Sequence, residues 1–434
     1  MALGGGTFLT QNKTLPGAYI NFVSAASASA TLSDRGYAAL GIEIGWGKEG
    51  EIFEVTSGDL IKNARKIFGY SYDAAELKGI RDLFKNAQTV FFYRLNGGGT
   101  KAANTFATAL YGGTRGNDLK TVIKVNVDDA TKFDVATYLD NVLIDSQTVE
   151  TATELVANDF CTFKTDATLE ATAGVAFTGG TNSTVTGDSH SAFLGLAEAY
   201  SFNAIGYVGV DATIKALYAA FTKRLRDEVG KKFQCVLYSY AGDYEGVVNV
   251  KNAVSDGATN ADLVYWTLGV IAGTAVNASA TNKKYDGEYT VDVAYTQAQL
   301  EAAIKAGEFT FHKVDADVRV LTDINSLVTT TADKGDIFKS NQTIRVIDQI
   351  ANDIAVLFNT KYLGVVPNDN AGRVSLWGDI VAHHKQLQDI RAIEDFDPNV
   401  VTVEQGDTKK AVVVNDSVNV VNAMEQLYMT VLVA

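Results

Sequence analysis

The sequence predicts a multidomain chain of α/β and α+β parts: a central α/β domain, a small inserted β-sandwich, and a C-terminal α+β domain. Three observations predict it. At 434 residues the chain is too long for a single hydrophobic core. Apolar runs of strand length alternate with amphipathic helical stripes on either side of a middle stretch. That middle stretch, 99–179, shifts to Thr, Val and Asp in short alternating runs, between Gly-rich junctions at Asn96–Gly99 and Gly179–Gly180. The expected segments are an N-terminal arm 1–23, an α/β part 24–98, the sandwich 99–179, a central α/β domain 180–330 and a C-terminal domain 331–434.

Each element follows from its residues. The arm is almost uncharged, with Lys13 the only charge before Asp34. Pro16-Gly17 signals a turn, and Ala18, Tyr19, Ile20 and Phe22 read as part of a strand. Leu60, Ile61, Ala64, Ile67 and Phe68 form a helical stripe closed by Gly69. A second helix is expected over Ala74–Lys85 and a strand over Thr89–Leu95. Within the sandwich, Thr121–Val127 and Tyr138–Ile144 are alternating runs. Beyond it, Ala204–Val210 and Phe233–Ser239 read as strands around the helical stripe Ile214 to Val229, and Ala261–Ala275 as a buried helix. The last domain offers helices around Ile347–Phe358 and Trp377–Ile390, then short strands near Val400–Val403 and Ala411–Val414. The final stretch, Met424–Ala434, alternates as a strand with both faces apolar. Leu427, Met429, Val431 and Val433 share one face, and Tyr428, Thr430 and Leu432 the other. No Lys or Pro follows Met424 to blunt its edge, so it lies within this subunit's own sheet or pairs with another chain.

Composition narrows the function. A net charge of −14 argues against nucleic acid and anionic membranes and suits a basic protein partner. No signal peptide is expected at the N-terminus, and no apolar run is long enough to span a bilayer. Cys161 and Cys235 read as buried free thiols. Gly45-Trp46-Gly47-Lys48-Glu49-Gly50 matches a dinucleotide-loop spacing, but Glu51–Val55 behind it reads as a strand, where a cofactor loop must open a helix. The four histidines show no metal-ligand spacing, and His384 falls on the apolar stripe of its helix, the place of a satisfied core histidine. Asp188-Ser189-His190 are neighbours that cannot face one another as a triad. No catalytic, cofactor or metal site is expected.

The motifs then meet a family. Leu15-Pro16-Gly17-Ala18-Tyr19, Tyr111–Asp118, Phe177–Gly180, Tyr362-Leu363-Gly364, Asn368–Arg373, Phe396-Asp397, and Ala423–Glu425 running on to Tyr428–Val431 together resemble, in order and spacing, the sheath protein of contractile phage tails. The resemblance covers the whole chain and is greatest to sheaths of defective prophages and clostridial phage-tail-like bacteriocins. It departs from large-phage sheaths in lacking their extra outer domains. It implies a structural, non-enzymatic subunit without cofactors, polymerising helically around a tail tube and contracting to drive that tube through a cell envelope. The implied partners are other copies of the chain, the tube protein, and the baseplate and terminator proteins. The implied location is a virion tail or bacteriocin particle assembled in the host cytoplasm. It also implies that both terminal strands are exchanged between subunits and that the last domain lies nearest the tube. Asp389, Glu394, Asp395 and Asp397, crowded in that domain, are the candidate tube-facing acids. A non-contractile filament protein and a soluble α/β enzyme are the rival readings.

Overall fold

The computed structural model describes residues 32–433, so the expected strand at Ala18, Tyr19, Ile20 and Phe22 lies outside the described residues. The chain forms two compact units. The larger holds Asp34–Ala351 and the residues from Val420 onward; the smaller holds Asn352–Asn419 together with Ser33.

The larger unit begins with β1 (Tyr37–Ile42). The Gly45–Gly50 loop then leads into β2 (Ile52–Thr56), a strand, as its sequence requires. Thr56 caps α1 (Ser57–Phe68) reciprocally: its Oγ1 accepts from the Asp59 amide at 3.1 Å, and Asp59 Oδ2 accepts from the Thr56 amide at 3.2 Å. Gly69 ends the helix at φ 82°, where any Cβ would be strained. A short 3-10 turn precedes α2 (Lys78–Phe84), and β3 (Thr89–Arg94) is buried at every residue.

The chain next leaves for the sandwich. Its strands are β4 (Lys101–Ala103), β5 (Ala107–Gly112), β6 (Leu119–Val125), β7 (Phe133–Leu139), β8 (Val142–Val149), β9 (Cys161–Phe163) and β10 (Thr172–Ala176). One antiparallel sheet has the order β10-β6-β7-β8, the other β4-β5-β9. The run Tyr138–Ile144 is not a single strand. Asp140 and Asn141 adopt φ of 50° and 63° and turn it into the β7–β8 hairpin, a conformation these two short polar residues tolerate best.

On returning, the chain forms α3 (Gly187–Ala197), β11 (Ala204–Tyr207), α4 (Ala212–Arg224), β12 (Gln234–Tyr238), β13 (Val247–Val250), α5 (Leu263–Gly273), α6 (Gln297–Lys305) and β14 (Glu308–Phe309). Residues from both sides of the sandwich build one seven-stranded sheet, β14-β13-β12-β11-β1-β3-β2, parallel except at β2–β3. Its faces are covered separately. Leu60 and Phe68 of α1, Leu83 of α2 and Trp266 and Leu268 of α5 pack on one face. Phe193 of α3 and Tyr218 and Phe221 of α4 pack on the other. The sandwich is held to this sheet by Arg94, 1% exposed, whose guanidinium donates to the Ile44 carbonyl at 2.8 Å and the Gly112 carbonyl at 2.7 Å. Trp46 enters the sandwich core, its ring 5.3 Å from Tyr111 and 5.5 Å from Phe160. A hairpin of β15 (Phe311–Val314) and β16 (Asp317–Val320) follows.

Helix α7 (Asn341–Leu357) starts in the larger unit and ends in the smaller. There α8 (Asn370–Asp389) begins at Asp369, whose carboxylate accepts from the Gly372 amide at 2.8 Å. Leu357, Tyr362, Leu376, Ile380, Val381 and Val401 form the core of this unit. The hairpin Thr402–Gln405/Val412–Asn415 is a two-stranded sheet with no third strand among the described residues.

Candidate assembly surface

Among the described residues no three His, Cys, Asp or Glu side chains gather as a metal ion would need, and no helix is long and apolar enough to cross a membrane. A polar cavity of about 560 Å³ lies past the carboxyl ends of β1 and β11, lined by Glu43, His190, Tyr207 and Asp211 among others. Open α/β sheets often hold ligands at such a place. Here Asp211 already accepts from the Thr213 and Ile214 amides at the start of α4, at 2.8 and 3.0 Å, so those two donors are engaged.

The unusual surface is the C-terminal segment. From Val420 the chain is fastened to the larger unit by side chains. Gln342 Nε2 donates to the Val421 carbonyl at 3.1 Å, and Gln342 Oε1 accepts from the Ala423 amide at 2.9 Å, so one amide side chain stands in for a neighbouring strand. Asn422 bonds to Ser340 and Thr343, each at 3.3 Å. Glu425 accepts from the Thr281 hydroxyl at 2.6 Å and the Thr322 hydroxyl at 2.9 Å. Beneath this root the start of α7 is locked by buried polar pairs. Asn341 accepts from Gln234 at 2.8 Å and donates to Asp323 at 3.0 Å, Arg345 pairs with Asp323, and Asp348 pairs with Arg226 at 2.6 Å.

Beyond Glu425 the fastening stops. Leu427 is 85% exposed, Leu432 93% and Val433 90%, and Tyr428, Met429, Thr430 and Val431 are exposed as well. No strand is formed here among the described residues, so of the two alternatives the segment does not lie within this subunit's own described sheets. A strand exists only with a ladder partner, and these backbone groups have none among the described residues. The residues expected to pair thus lie together on one projecting apolar segment.

The four acids are placed less tightly. Asp389 ends α8, Glu394 ends the short strand Ile393–Glu394, and Asp395 and Asp397 follow it; all four are exposed. Asp397 accepts from the Asn399 amide at 2.9 Å and caps the 3-10 turn Pro398–Val400. None of the four makes an ion pair among the described residues. Sequence reasoning missed the root entirely, because Gln342, Thr281 and Thr322 lie 79 to 144 positions from their partners. His384 meets its expectation as a buried, satisfied histidine, with Asp416 on its Nε2.

A sandwich carried on a parallel sheet, a second α+β unit and a projecting apolar segment define a structural subunit of tail-sheath type. Four domain descriptions of that class match consecutive stretches of the chain. They are the Tail sheath protein Gp18 domain III N-terminal region over 35–95, the phage tail sheath beta-sandwich domain over 96–182, the central domain over 183–326 and the C-terminal domain over 333–434. The Phage-like element PBSX protein XkdK of Bacillus subtilis (strain 168) is 36% identical over 466 aligned residues, covering 99% of each protein. The crystal structure of a sheath tail protein from Desulfitobacterium hafniense is similar at 39% identity and a TM-score of 0.80, over 90% of this chain and 93% of that one. The anti-feeding prophage helical sheath in its contracted state shares the fold at 13% identity and a TM-score of 0.58, over 96% of this chain and 99% of that one. The chain belongs to the phage tail sheath protein family, and it is a sheath subunit.

Proposed function

We propose that the subunit polymerises helically around a tail tube, in a phage or a phage-tail-like bacteriocin assembled in the host cytoplasm, and that the polymer contracts to drive the tube through a cell envelope. The role is mechanical, without an enzymatic step or cofactor, and the further partners are the tube, baseplate and terminator proteins. The observation that carries this reading is the exposed apolar segment Leu427–Val433 on a fastened root. Leaving it in water is unfavourable by roughly 1.5–3 kcal/mol for each large apolar side chain, so a neighbouring copy is its natural cover. The two-stranded hairpin Thr402–Gln405/Val412–Asn415 supports the same reading from the acceptor side. A lone pair of strands is marginal, and Val413 and Val414 stand exposed on it. Strand addition to such an edge supplies a backbone ladder and covers the apolar side chains together. The arm around Ala18, Tyr19, Ile20 and Phe22 serves as the second exchanged strand. Residues 99–179 form an outward domain, and the C-terminal domain faces the tube through Asp389, Glu394, Asp395 and Asp397. Contacts of this head-to-tail kind do not close on themselves and therefore build helices.

Deleting Leu427–Ala434 tests it. Electron microscopy of the truncated chain should show dispersed subunits or short aggregates and no long tubes. Normal polymers from the truncation would overturn the role given to the segment.

A further inference from the structure

His383 and His384 sit side by side on α8, 1% and 0% exposed, with their rings turned toward each other. Their Nδ1 atoms are 3.2 Å apart. His383 Nε2 is 2.9 Å from Asp353 Oδ2 on α7, and His384 Nε2 is 2.5 Å from Asp416 Oδ2, in the strap after the Val412–Asn415 strand. Asp353 also accepts from the Ser33 hydroxyl at 2.6 Å, and Asp416 from the Ser417 amide at 2.7 Å. Among the described residues of this unit, the groups that face the two rings are Asp353, Asp416 and the ring of Phe396, 5.1 Å from that of His384.

The protons in this row can be counted. With Asp353 and Asp416 both ionised, each carboxylate only accepts, so each Nε2 carries a hydrogen. Burial pushes Asp416 up, but its bond to His384 and the charge of both imidazoles hold it below the usual carboxylate range, in keeping with an ionised group. With only those two hydrogens, both Nδ1 atoms would present lone pairs to each other at 3.2 Å in a dry interior. A hydrogen bond there requires a third. We infer that the two imidazoles share one additional proton between their Nδ1 atoms, making Asp353–His383–His384–Asp416 a proton-held clasp that fixes the strap Asp416–Asn419 to α7 and α8. The strap is the segment by which the chain leaves the smaller unit for the assembly segment. A row of carboxylate, imidazole, imidazole, carboxylate also resembles the outer shell of a metal site. The separation fits a shared hydrogen, and no third ligand joins the pair among the described residues.

The test is imidazole nitrogen NMR on the full-length chain, 15N-labelled at histidine, in neutral solution, with metal analysis of the same sample. The expected spectrum has both Nε2 atoms protonated and one solvent-protected proton shared by the Nδ1 pair. Two bare Nδ1 atoms, an unprotonated Nε2, or stoichiometric bound metal would each overturn the inference. Asp416→Asn keeps an oxygen acceptor but removes the charge that offsets the extra proton. It should abolish the third proton's signal and speed exchange of the Ser417 amide. Retention of that signal in Asp416→Asn would overturn the assignment, and the wild-type spectrum decides alone should the variant not fold.

Discussion

Asp82 shows how much a single buried carboxyl can govern. It is fully buried, and it accepts from the Tyr285 hydroxyl and the Glu288 amide, each at 2.8 Å. Burial, the largest influence, raises its pKa from 3.8 to about 6 despite those two bonds. The sign follows from proton uptake. Below the ordinary value the group is protonated in folded and unfolded chains alike, and its contribution is fully present. As pH rises through about 6 the folded chain is left with a buried charge, and that contribution is lost. A shift of this size corresponds to ~3 kcal/mol as an upper bound. Asp82→Asn should therefore flatten the decline in stability between acid and neutral pH, as measured by urea unfolding at several pH values. An unchanged slope would refute the assignment. Nothing in the sequence marks this residue, because its hydroxyl partner lies 203 positions away.

At the scale of elements, α5 meets the backbone of α2 and of the turn that follows it. A Cβ added at Gly273 would come within 1.9 Å of the Asn86 carbonyl oxygen, and one at Gly269 within 2.3 Å of the Leu83 carbonyl oxygen. Gly273→Ala should destabilise the larger unit by about 1–3 kcal/mol or more, since a packed backbone cannot step aside as a side chain can; thermal unfolding would show it. The elements themselves were mostly legible. The stripe of α1 with its Gly69 stop, the all-round apolar α5 and the strand behind the Gly45–Gly50 loop each follow from local periodicity. Two alternating runs show the limit of the pattern. Tyr138–Ile144 alternates, but Asp140-Asn141 turns it; Leu427–Val433 alternates, but no partner strand lies beside it among the described residues. Alternation reports which faces are apolar, and says nothing of whether a ladder exists. The root at Gln342 and Glu425 and the row through His383 and His384 were illegible because their partners are brought close only by the fold.

The whole molecule yields two further expectations. Excising residues 100–178 with a short Gly linker should leave polymerisation intact, provided Trp46 is replaced by a polar residue. Its ring otherwise loses Tyr111 and Phe160 and is left exposed. Electron microscopy would reveal the tubes, and a folded excised chain that forms none would refute the outward placement. Glu394→Lys with Asp395→Lys should reduce the fraction of tube-filled particles while empty polymer still forms. Raised salt should act on the wild type in the same direction. Exposed ion pairs contribute only ~0.2–1 kcal/mol each but recur with every subunit, and they are screened where backbone ladders are not. Equal tube occupancy in variant and wild type, at low and high salt, would leave these acids as ordinary wet surface.

The fastening at Glu425 also sets a length. Past it, Gln426–Val433 can span at most about 26 Å at the rise of an extended strand. On the reading that Leu427–Val433 is laddered to the next subunit, about 26 Å is the furthest that the last rung of that ladder can lie from the segment's own root. Subunits can then swing and slide through any rearrangement that keeps that rung within reach of the root, and no rearrangement that exceeds it can occur without breaking a ladder. The polymer would change its pitch and girth as a net does, by turning about its knots, and would stay whole because no cord in it needs to lengthen.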